Sequence, residues 1–67
     1  MTSDFVFYSS ENGDAWLLIG GLLEGKVVRH RPNASSGGSS RDADIHDFLL
    51  REKNTPQGQA LRQALER

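Results

Sequence analysis

The first half of the chain alternates apolar and polar positions at the spacing of strands, and the second half at the spacing of helices. Residues 5–10, Phe-Val-Phe-Tyr-Ser-Ser, are aromatic and β-branched and predict a strand. Asn12-Gly13 follows, a pair that tolerates positive φ and signals a tight hairpin. Residues 15–19, Ala-Trp-Leu-Leu-Ile, predict the returning strand; being apolar on both faces, it should be the central one. Gly20-Gly21 and Gly25 bracket a loop holding Leu22-Leu23-Glu24. Residues 26–31, Lys-Val-Val-Arg-His-Arg, predict a third strand that stops before Pro32.

Asn33 to Ser40 is a run of small residues suited to turns or a flexible connector. Beyond it the period changes. Ile45, Phe48 and Leu49 recur at i, i+3 and i+4, which predicts a helix beginning near Ser39 or Ser40, with Ser39 and Asp42 as a weak capping box. Asn54-Thr55-Pro56 ends that helix and starts another, Thr55 capping and Pro56 first. Ala60, Leu61, Ala64 and Leu65 form its apolar stripe. Gly58 should weaken its first turn by up to about 1 kcal/mol relative to alanine.

The expected fold is therefore α+β: a three-stranded antiparallel meander followed by two short helices (βββαα) packed on one sheet face. The β part covers about residues 4–32, the loop 33–40 and the α part about 40–66. The inward face is either Phe5 and Phe7 or Val6 and Tyr8 on the first strand, and either Trp16 and Leu18 or Leu17 and Ile19 on the second. Two short helices can hardly cover both faces of the central strand. Tyr8, Trp16 and Leu18 are accordingly candidate interface residues on an uncovered sheet face, for a protein partner or a second copy. Alternatively, Trp16 lies flat under the Leu22-Leu23 loop.

Composition narrows the possibilities. A chain of 67 residues makes one domain, here residues 1–67, and buries only a modest core. It has no cysteine, which excludes disulfides and thiolate zinc sites and fits a reducing compartment. No apolar run approaches the roughly 20 residues of a membrane span, and Met1-Thr2-Ser3-Asp4 carries no positive n-region, so a cytoplasmic location is expected. The net charge of −1 hides an uneven distribution. Residues 1–24 hold only acids, residues 25–41 only bases, and the rest is mixed.

The basic block supplies an anion or nucleic-acid candidate: Lys26, Arg29, His30, Arg31, Gly37, Gly38 and Arg41. A Gly-rich loop running into a helix N-terminus offers free N–H groups, and strand arginines could clamp a phosphate there. Tyr8 or Trp16 could add a stacking surface. The simpler account is a charged third strand guarding a sheet edge. The loop lacks the Gly-Lys-Ser/Thr ending of a Walker sequence. His30 and His46 with Asp42 or Asp47 make no recognisable metal spacing. No serine sits in a nucleophile elbow and no acid–base constellation is evident, so neither catalysis nor a cofactor is expected.

Four segments carry a family likeness: Gly13-Asp14-x-Trp16-x-Leu18; Val28-Arg29-His30-x-Pro32-Asn33-x-Ser35-x-Gly37-Gly38; Ile45-x-x-Phe48-Leu49; and Pro56-x-x-Gln59-Ala60-Leu61. Nearly the whole chain thereby resembles a group of short uncharacterised bacterial proteins found mainly among alphaproteobacteria. The likeness implies an independent small cytoplasmic protein and assigns no activity. The apolar Leu22-Leu23 loop departs from the polar turn expected in that group. The leading expectation is a non-enzymatic interaction module that binds a protein partner, or a second copy as a homodimer, through the uncovered sheet face around Trp16.

Overall fold

The computed structural model describes residues 3–33 and 38–66. Four strands form one antiparallel sheet in the order β1-β2-β3-β4: β1 Phe5–Ser9, β2 Ala15–Ile19, β3 Val27–Arg31 and β4 Arg41–Asp44. Three helices accompany them: a single turn, α1, at Gly21–Glu24, then α2 at Ile45–Arg51 and α3 at Pro56–Leu65. The α+β class and the first three strands follow the hydrophobic pattern. The count does not, because β4 and α1 are additional.

β4 corrects two expectations. The small-residue loop leads into a strand, not into a helix, and the charged β3 is interior rather than an edge. Arg-Asp-Ala-Asp has poor strand propensity, so its pairing with β3 decides its conformation. Its charges then blunt the true edge of the sheet. Asp44 ends β4 and caps α2, its carboxylate accepting from the His46 and Asp47 N–H groups at 2.9 and 3.4 Å. Helix α2 thus begins at Ile45, several residues after Ser39–Ser40. The Ile45 N–H donates to the Lys26 carbonyl at 2.9 Å and ties this start to β3.

Helix α3 keeps its expected cap. Thr55 Oγ1 accepts from the Gly58 N–H at 3.1 Å, and Pro56 opens α3. Helices α2 and α3 lie on the face that carries Leu18 and Val28. Leu18, Val28, Phe48 and Leu61 form the buried core, with Phe5, Phe7, Trp16, Ala43, Ile45 and Leu49 packed around it. Phe7 meets the edge of Phe48 at 5.8 Å. Alternation along the strands puts Leu17, Ile19, Val27 and Arg29 on the opposite, uncovered face.

The turn after β2 demands glycine, since Gly20 and Gly21 have φ of 94° and 85°. Asp4 holds it by accepting from the Gly20 N–H at 3.1 Å. The one-turn α1 leaves Leu23 99% exposed and turns Leu22 toward Phe5 and α3. The Leu22-Leu23 segment therefore does not cover Trp16. Among the described residues no helix is long and apolar enough to cross a membrane.

On the uncovered face Arg29 faces Asp42 across β3 and β4 and binds it through two hydrogen bonds, at 2.8 and 3.0 Å. The bond from Arg29 holds the Asp42 carboxyl below the usual carboxylate range, and the same bond raises the Arg29 guanidinium. A carboxylate depressed by folding stabilises the fold above its unfolded pKa and ceases to as pH falls through the folded value. The stability difference between wild type and Asp42→Asn is thus expected to be constant near neutral pH and to shrink below the carboxylate range. Denaturant melts of both proteins across acid pH check this. A difference that stays flat contradicts it.

Candidate functional site

The register of the sheet brings one residue from each strand into a row. Tyr8 pairs with Trp16, Trp16 with His30, and His30 with Arg41. An irregularity between Val6 and Tyr8 lets Phe7 and Tyr8 both reach the helix side. The row lies at one end of that side, beside α2.

Its rings form a ladder. Trp16 and His30 are nearly parallel, 10° apart, with centroids separated by 4.4 Å. Tyr8 leans on the other side of Trp16 at 5.5 Å and 58°. Neighbouring strands are about 4.8 Å apart. Parallel rings on adjacent strands at this separation overlap face to face, so they stand up from the sheet rather than lying flat. Trp16 therefore covers one face of His30, and the other face is turned toward β4.

Asp14 fixes the imidazole. Its Oδ2 lies 3.3 Å from His30 Nε2, while its Oδ1 accepts from the Asn33 N–H at 2.7 Å. Asn33 also bonds through its side-chain amide to the Asn12 carbonyl. The β1–β2 turn and the exit from β3 are thus laced together around the His30 ring. The His30 side chain remains 36% exposed.

Beside this ring opens a cleft of about 420 Å³, within the range of roughly 300–1,000 Å³ common to small-molecule sites. Val28, Ala43 and Phe48 give it an apolar base, Trp16 and His30 a conjugated wall, and Arg41, Arg51 and Glu52 a polar rim. Arg41 makes no ion pair among the described residues. Arg51 is 3.7 Å from Asp47 in an exposed i,i+4 pair, and one Glu52 oxygen accepts from Gln57 at 2.9 Å.

The structure divides the basic candidates. His30 and Arg41 share the helix side and line the cleft. Arg29 and Arg31 fall on the opposite face by alternation, Arg29 already bound to Asp42, and Lys26 lies just before β3 at the far end of that strand from His30. Gly38 is exposed near β4, and Gly37 lies outside the described residues. The loop–helix anion site therefore loses its geometric basis, because the segment from Gly38 enters β4.

The interface candidates divide as well. Tyr8 and Trp16 belong to the ladder on the helix side, not to the uncovered face. Leu18 is fully buried and forms part of the core instead of a surface. His46 is exposed on α2, apart from His30, and among the described residues no cluster of histidines and acids could hold a metal.

Asp14, Arg51 and Glu52 join the site without being singled out by the sequence. Asp14 becomes visible once the register is known, since it shares the alternation of Trp16 and precedes the Ala15–Arg31 pair. Arg51 and Glu52 had no sequence signal, because they end a helix whose docking depends on β4. Comparison with protein-family models, curated proteins and solved structures finds no match to this chain.

Proposed function

We propose that this protein is a small, non-enzymatic binding module that recognises a flat conjugated group in the cleft beside His30. The observation that carries this reading is the cleft that Trp16, His30 and Phe48 line at the end of the Tyr8–Trp16–His30 ladder. A flat ligand placed against the outer face of His30 adds one more layer to a stack that Asp14 already orients. Stacking on an immobilised ring costs little ordering entropy, and a base on an aromatic side chain is worth about 1–3 kcal/mol. The apolar base of the cleft dehydrates the same group.

Trp16 is the chain's only tryptophan, so its fluorescence reports on the ladder directly. Adenine, flat and uncharged, is expected to change the emission saturably, whereas cyclohexanol is not. His30→Ala should weaken the adenine response by roughly tenfold while leaving the fold intact. An equal response from wild type and His30→Ala, or from both compounds, overturns the reading.

A second reading is self-association through the uncovered sheet face. It is favoured by Val6 and Val27, exposed by 46% and 37%, flanking Leu17 and Ile19. Sedimentation at rising concentration is then expected to show a dimer that Val27→Lys abolishes, and a monomer at all concentrations rejects it.

A further inference from the structure

We infer that the group recognised beside His30 is the base of a nucleotide, with its phosphate held by Arg41; this rests on the reading of the cleft as a site for a flat ligand. The rim distinguishes a nucleotide from other flat molecules. Arg41 stands across from His30 on the neighbouring strand and makes no ion pair among the described residues. Arg51 lines the same cleft, so two arginines belong to its wall. Guanidinium forks suit phosphate oxygens and can also lie flat against a base.

Glu52, on the other hand, supplies an acceptor at the same rim. A plain aromatic acid gains nothing from a carboxylate there. A nucleobase does, because its edge carries amino donors beside its acceptors. The cleft also runs along three consecutive residues of β4, Arg41, Asp42 and Ala43. β4 is an edge strand, so no other strand of the described residues pairs with its outer main-chain groups. Such an edge presents unpaired N–H and C=O groups along the strand.

The remaining charges agree with a single phosphate rather than a long duplex backbone. Arg29 is bound by Asp42 and Arg31 lies on the other face, which leaves the cleft with Arg41 and the weakly paired Arg51. A nucleotide at this site is either free or one position of a single strand whose neighbours pass into solvent.

Calorimetry or amide NMR on the full chain at low salt separates the possibilities, using adenosine, adenosine monophosphate and a single-stranded oligoadenylate. The monophosphate is expected to bind about tenfold more tightly than the nucleoside, the strength of a hydrogen bond to a charged group. Arg41→Ala should remove that gain, bringing the ratio of monophosphate to nucleoside affinity toward one. Arg41→Lys, which keeps the charge, should restore part of it. Equal affinity for nucleoside and nucleotide, or a gain indifferent to Arg41, overturns the inference while leaving the flat-ligand reading standing. Failure of all three ligands overturns both. Tighter binding of the oligonucleotide, expressed per chain, identifies a single strand as the source; equal binding identifies a free nucleotide.

Discussion

Replacing Gly58 with alanine is expected to destabilise the domain by about 2–3 kcal/mol, the upper part of what overpacking costs. In an isolated helix the same change would stabilise by about 1 kcal/mol. The sign reverses because α3 starts hard against the end of α2. A β-carbon on Gly58 would fall on the Glu52 carbonyl, with the carbonyl carbon only 2.6 Å away. That carbonyl cannot step aside. It accepts from the Thr55 N–H at 3.0 Å and from Thr55 Oγ1 at 2.7 Å, and Thr55 Oγ1 in turn caps Gly58. For a chain of this size the expected loss lowers Tm by about 10–20 °C, measurable by circular dichroism. A Gly58→Ala protein that melts at or above the wild-type temperature shows that helix propensity, not the corner, sets the outcome.

Leu18→Ala is expected to cost about 2–5 kcal/mol, by lost burial and the cavity left behind. Leu18 is fully buried and central: it pairs with Phe5 and Val28 on the flanking strands and belongs to the same buried cluster as Phe48 and Leu61. Domains of this length hold about 3–10 kcal/mol in total. The variant should therefore lose a large share of its stability, visible as a melting temperature well below that of wild type. Leu17→Ala is the informative comparison, since Leu17 is nearly as buried yet lies on the face without helices. Its loss should be smaller, because fewer neighbours surround the cavity. Equal losses would mean that the uncovered face is packed as tightly as the core.

The parts of the fold that local chemistry dictates were legible in the sequence. Asn12-Gly13 marked the first hairpin, the unbroken apolar run of β2 marked an interior strand, and Thr55-Pro56 marked the start of α3. What escaped is what tertiary pairing dictates. Arg41 to Asp44 forms a strand because β3 offers it hydrogen bonds and Arg29 offers Asp42 a partner, neither of which is local. Missing β4 moved the start of the first long helix, made β3 an edge and joined basic residues that the sheet assigns to opposite faces.

The candidate site was legible only as fragments. Tyr8, Trp16, His30 and Arg41 each stood out by residue type, yet nothing local reveals that they align across four strands. That alignment needs the register, including the irregularity in β1 that brings Tyr8 to Trp16. Gly58 failed for the opposite reason. Its effect on an isolated helix is known, but its native role is a close approach between two segments.

The ring protons of His30 report most directly on whether a flat ligand stacks in the cleft that this residue lines. A two-dimensional aromatic NMR spectrum resolves His30 from the chain's other histidine, the exposed His46, which serves as an internal control. On adding adenine, the His30 protons are expected to move upfield as the ligand ring stacks on them, with the Trp16 indole following more weakly and His46 unmoved. Equal small shifts at both histidines, or none at either, would contradict the account.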